Sequence, residues 1–69
     1  MQKVEIKLIG SEISGDIYIT KKGTYLCDVN FNSDNPYLHT MTYNDFDGEP
    51  NVPVRDDIEF VIVDEFSYE

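Results

Sequence analysis

Apolar and polar residues alternate along almost the whole chain, and this regularity excludes most folds. In "KVEIKLI", residues 3–9, Val4, Ile6 and Leu8 alternate with Lys3, Glu5 and Lys7. Successive side chains of a strand point to opposite faces, so a period of two marks a half-buried β-strand. The rhythm returns in "EISGDIYIT" (12–20) with Ile13, Ile17 and Ile19, in "TYLCDVNF" (24–31) and in "YLHTMTY" (37–43). Within 24–31, Tyr25, Cys27, Val29 and Phe31 share one face, and Leu26, Asp28 and Asn30 the other.

Turn residues divide these runs. Gly10 and Ser11 interrupt the first strand, and Gly15 inside the second predicts a bulge. "KKG" (21–23) reads as a hairpin loop with Gly23 at positive φ, and "NSDNP" (32–36) as a turn. Pro50 and Pro53, around "NVPVR", cannot donate to a ladder, so this is an edge segment or a bulged loop. "DDIEFVIVDEFSYE" (56–69) is ambiguous. Asp56 and Glu59 have the spacing of a helical capping box, but "IEFVIV" is rich in β-branched residues. The segment is read as a strand. The expectation is one all-β domain, residues 1–69. It is a five- or six-stranded antiparallel meander, curled into a small barrel (SH3- or OB-like) or a compact sandwich to cover its edges.

Charge is the second constraint. The chain of 69 residues has a net charge of −9. Residues 1–27 carry four lysines against three acids, whereas residues 28–69 carry eleven acids against Arg55 alone. Nucleic acid and anionic membrane are poor partners for such a surface, and a basic protein groove is a good one. With Cys27 the single cysteine, no internal disulfide is possible. "MQKVEIKLIGSE" lacks the apolar core of an export signal, and no apolar run is long enough to span a membrane. A cytoplasmic location is expected.

The chemistry-bearing patterns are few. "DVNFNSD" (28–34) places Asp28, Asn30, Asn32 and Asp34 at alternate positions, as a calcium loop does. Its sixth position is Ser33, not Gly, and its twelfth is His39, not Glu. "DFDGE" (45–49) has an Asp-x-Asp-Gly core but too few ligands by itself. Cys27 and His39 fall short of a zinc site. Cys27 is expected to be a buried apolar thiol, and His39 a strand surface or partly buried residue. No serine lies in a nucleophile context, and a chain this short has little room for a water-excluding cleft. No enzymatic activity, metal or cofactor is expected.

The acidic surface remains. Alternate side chains of a strand lie about 6.6–6.8 Å apart, so rows of carboxylates can imitate a row of phosphates. Candidate rows are Asp45, Asp47 and Glu49; Asp57 and Glu59; and Asp28 with Asp34. Asp64, Glu65 and Glu69 extend the negative field. Buried aromatics usually supply interface hot spots. Phe46, between Asp45 and Asp47, is the first anchor candidate, followed by Tyr43, Phe66 and Tyr68. The bland alternative is a solvated acidic face on a small structural or regulatory module, with Phe46 tucked back over the end of the barrel. A calcium-binding module is a third reading. The one-sidedness of the charge favours a non-catalytic protein that blocks a basic, nucleic-acid-binding surface of another protein.

In size, acidity and β-rich pattern the chain resembles small virus-encoded inhibitors: uracil-DNA glycosylase inhibitors, anti-restriction proteins and anti-CRISPR proteins. That resemblance implies a DNA-mimic type of inhibitor with a protein partner. It transfers no role to any individual residue.

Overall fold

The computed structural model of the chain describes residues 2–55 and 57–67. The described strands are β1 (Gln2–Glu12), β2 (Gly15–Thr20), β3 (Tyr25–Asp28), β4 (Leu38–Met41), β5 (Pro50–Pro53) and β6 (Ile58–Ile62). A 3-10 turn, Thr42–Asn44, follows β4. The strands form one sheet in the order β5-β4-β3-β2-β1-β6. Segment 58–62 is therefore a strand, as its β-branched residues predict. The capping position Asp56 lies outside the described residues, as do Tyr68 and Glu69.

Two expectations about topology need correction. The first five strands do form an antiparallel meander, but β6 runs parallel to β1, from Gln2 opposite Ile58 to Ile6 opposite Ile62. A simple meander would have added β6 beside β5. Pro50 and Pro53 make β5 a poor template, because proline has no N–H to donate. The long free edge of β1 takes β6 instead.

Nor does the sheet close into a barrel, since β5 and β6 stand at its two ends without pairing. It is nonetheless strongly curled. Only residues 54–57 separate β5 from β6. Five chain steps reach at most about 18 Å, whereas the edge strands of a flat six-stranded sheet lie about 24 Å apart.

The curl defines two faces. On the concave face Ile6, Tyr18, Leu26 and Leu38 are buried, with Val4, Val54 and Phe60 packed against them. Val54 follows β5 and Phe60 lies on β6, at opposite ends of the sheet, so their packing against one cluster marks this as the inside of the curl. On the other face Ile17, Cys27 and Met41 form a second buried cluster, joined by Tyr25, Val29 and Phe46. The register explains the split, because Tyr18 pairs with Leu26 and Ile17 with Cys27.

Local details also depart from the alternation. Gly10 and Ser11 do not end β1, which runs to Glu12; the bulge falls at Ile9, between Leu8 and Gly10. Gly15 is needed for a different reason: a Cβ there would lie 2.3 Å from the Asp28 carbonyl oxygen. Ile13 is not a core residue. It sits fully exposed in the turn between β1 and β2.

β3 stops at Asp28, short of the expected Phe31. The Asp28 side chain is buried, and it gathers the following loop onto itself. Its Oδ1 accepts from the backbone N–H of Asn30 at 3.0 Å and of Tyr37 at 2.9 Å, and its Oδ2 from that of Asn32 at 2.9 Å. Three charge-assisted bonds replace the water that a buried carboxylate loses.

Candidate partner-binding surface

The acidic segment 42–49 is a closed, pinned loop. At its ends the Thr42 N–H and hydroxyl both donate to the Glu49 carbonyl, at 2.9 and 3.0 Å. Inside it, the Asp47 N–H donates to Asp45 Oδ1 at 3.2 Å and the Gly48 N–H to the Asp45 carbonyl at 2.9 Å. This is the local side-chain turn that aspartate favours. Gly48 is required by space, since a Cβ would fall 2.4 Å from the Thr42 carbonyl oxygen.

Asn44 fastens the loop to the β2–β3 turn. Its Oδ1 accepts from the Tyr25 N–H at 2.7 Å, and its Nδ2 donates to the Gly23 carbonyl at 3.1 Å. Asn44 sits at φ 50°, a left-handed conformation that asparagine tolerates. Tyr43 beside it has φ 57° and ψ 16°, which is uncommon for a bulky residue. Tyr43 as a whole is 95% exposed. The two strained positions turn the chain so that Tyr43 projects into solvent while Phe46 folds back. Phe46 packs on the Ile17, Cys27 and Met41 cluster. Its ring lies across Gly10. The aromatic presented by this loop is therefore Tyr43, and Phe46 holds the loop down.

Asp45, Asp47 and Glu49 are all exposed. They do not form a strand-like row. Asp45 is extended at φ −124° and ψ 140°, but the following residues turn at Gly48. Phosphate-like spacing of these three positions requires residues 45–47 to stay extended; instead 46–48 turn, and the three carboxylates are grouped around one loop.

The other candidates gather around β6. Glu59 lies on the strand and Asp57 just before it; Asp64 and Glu65 follow in an exposed bend. Asp57 is hydrogen-bonded by Arg55, and Glu59 faces Lys3 at 3.9 Å. All four partners are largely exposed, so each pair contributes about 0–1 kcal/mol. Phe66 is half-buried. The segment after β6 folds back on β1: the Ser67 N–H and hydroxyl donate to the Glu5 carboxylate at 2.8 and 2.7 Å, and Lys21 donates to the Ser67 carbonyl. The Ser67 hydrogen bonds hold the Glu5 carboxyl below the usual glutamate range.

The remaining motifs have local roles. Asp28 no longer pairs with Asp34 as an exposed row, because its carboxylate is turned inward. Among the described residues no three His, Cys, Asp or Glu side chains come together as a metal site. Cys27 is fully buried. Burial pushes its thiol up, Asp28 and Asp16 add to this, and a hydrogen bond with Ser14 opposes it. His39 is half-buried, its ring edge-on to Tyr37 with centroids 4.7 Å apart. A groove of about 800 Å³ opens on the concave face between Val4, Leu26, Thr40, Val54, Ile58 and Phe60; Cys27 and His39 do not line it. Among the described residues no helix is long and apolar enough to cross a membrane. No protein-family model, curated protein or solved structure matches this chain.

Proposed function

We propose that this chain is a non-catalytic, cytoplasmic binding protein that blocks a basic, nucleic-acid-binding surface of a partner protein, in the manner of a DNA-mimic inhibitor. The resemblance to small virus-encoded inhibitors supports the inhibitor reading and does not select the target.

The observation that carries this reading is the loop 42–49. It is fixed at both ends, pinned by Asn44, and presents one exposed aromatic amid three exposed carboxylates. A pre-ordered loop loses little entropy on binding. Carboxylates steer a basic partner, and a tyrosine buried at its centre supplies binding energy. A merely solvated face has no use for a tyrosine in a strained conformation with its ring in water.

The test is charge removal that keeps the loop's fold. Asp45→Asn retains the oxygen that accepts from Asp47. Combined with Asp47→Asn and Glu49→Gln, it leaves the backbone contacts in place. Partner captured from lysate at low salt is then lost or weakened by about tenfold or more, and the remaining binding depends less on salt. Unchanged capture by the neutralised chain supports the structural module with a solvated acidic face. Capture confined to proteins without a basic surface rejects the inhibitor reading.

A further inference from the structure

The two ends of the sheet are not equivalent. β5 carries Pro50 and Pro53 and pairs irregularly with β4. Proline at an edge blocks the addition of another strand. β6, by contrast, is an uninterrupted "IEFVI" with no proline, paired among the described residues on one side only.

The hydrogen-bond pattern shows which backbone groups turn away from β1. The Val63 N–H donates to the Ile6 carbonyl at 2.9 Å, so the backbone groups of residues 59, 61 and 63 face β1. Those of Ile58, Phe60 and Ile62 therefore point outward, away from the sheet. Ile62, on the edge strand itself, is 38% exposed. An added strand would find this apolar side chain beside the outward backbone.

Charge selects the occupant. Residues 57–65 include Asp57, Glu59, Asp64 and Glu65 and not one lysine or arginine. Pairing β6 with a second copy would bring two such sets together, and like charges across strands are destabilising. An extended segment bearing lysine or arginine meets the opposite condition. Its cations would replace the weak exposed pairing of Asp57 with Arg55 and of Glu59 with Lys3.

We propose that the outer edge of β6 receives an extended, Lys/Arg-bearing segment of the partner by strand addition. This deepens the function proposed above and rests on it: the loop 42–49 engages the basic groove, and β6 pairs with a basic arm beside it. Main-chain bonds would give affinity at this edge, and the flanking carboxylates would give selectivity.

The experiment is an amide-shift titration of the full chain with three synthetic peptides. One alternates Lys with Val, one alternates Lys with Pro at the same charge, and one alternates Glu with Val. The Lys-Val peptide is expected to bind, with the largest shifts at Ile58, Phe60 and Ile62, and the Glu-Val peptide not to bind. Ile62→Pro removes one outward donor and is expected to weaken Lys-Val binding about tenfold; Ile62→Thr keeps the donor and most of the affinity. The shift map uses the unaltered chain, so it decides the matter even where Ile62→Pro fails to fold. Equal binding of Lys-Val and Lys-Pro, with shifts on residues 42–49, overturns strand addition and leaves the inhibitor reading standing. Failure of both basic peptides overturns the two together. Self-association through β6 overturns the choice of occupant.

Discussion

The ring of Phe46 lies so close across Gly10 that a Cβ at position 10 would sit 2.8 Å from Phe46 Cζ. The acidic loop is thus seated on β1 by a contact that only a glycine permits. Gly10→Ala is expected to push the ring off its seat and lower stability by about 1–3 kcal/mol, as overpacking does. Phe46→Ala, at a half-buried site, is expected to cost about 2 kcal/mol, below the range for a fully buried Phe. The two losses should not add, because removing the ring makes room for the methyl. Urea titration of the two single variants and the double variant measures this.

Asp28 organises the loop 29–37 through three backbone amides. Asp28→Ala leaves those donors without an acceptor at a buried site. The expected loss is about 3 kcal/mol or more, read as a large fall in Tm. Asp28→Asn keeps one acceptor oxygen and is expected to lose less. Both carboxylate oxygens are already engaged, so millimolar Ca²⁺ is expected to leave the wild-type Tm unchanged. A rise in Tm with Ca²⁺ would instead support the calcium module, since a ligand bound only by the folded state stabilises it.

Tyr43 separates stability from binding. Asparagine accepts its left-handed backbone more readily, so Tyr43→Asn is expected to raise stability by about 0.5–1 kcal/mol. The same change removes the exposed ring and is expected to weaken partner binding by about 2 kcal/mol, the scale of an interface hot spot. Thermal melts and a binding isotherm on one preparation test both halves.

Glu5 makes the tail contact sensitive to acid. Its carboxyl titrates below the ordinary value of 4.5 because the Ser67 N–H and hydroxyl donate to its charged form. A group whose folded pKa is depressed adds stability above its unfolded pKa and loses it as pH falls through the folded one. The contact of Ser67 with β1 is therefore expected to hold at neutral pH and to loosen progressively below about 4.5. Amide exchange at Ser67, followed through the acid range, reports the release. Glu5→Gln is expected to flatten that pH dependence.

Much of the sheet is legible in the sequence because strand side chains alternate between two faces, and in β2 and β3 both faces carry buried apolar residues. Ile6, Ile17, Leu26 and Cys27 lie where a period of two puts them, and Pro50 and Pro53 mark an edge as proline should. What escapes the pattern depends on contacts between distant segments. The pairing of β6 with β1 follows from which edge stays open after β5, and alternation is silent about that. The bulge at Ile9 leaves only the adjacent Leu8 and Ile9 as its trace. In the acidic loop the charges are plain in the sequence. The exchange of roles between Tyr43 and Phe46 is not, because it turns on two left-handed residues and on the absent side chain of Gly10. "YN" at 43–44 holds the one available hint, since asparagine often accepts such a backbone.

The parallel pairing of β1 with β6 has a kinetic consequence. During synthesis β1 leaves the ribosome before the other described strands, and the strand that completes its outer side is the last of these six. Until then the growing chain can form hairpins, but Val4 and Ile6 lack the neighbours Phe60 and Ile62. Pairing so distant in sequence slows folding relative to a pure meander. A nascent chain stalled before residue 58 would carry an open, apolar first strand, the form most exposed to aggregation and proteolysis.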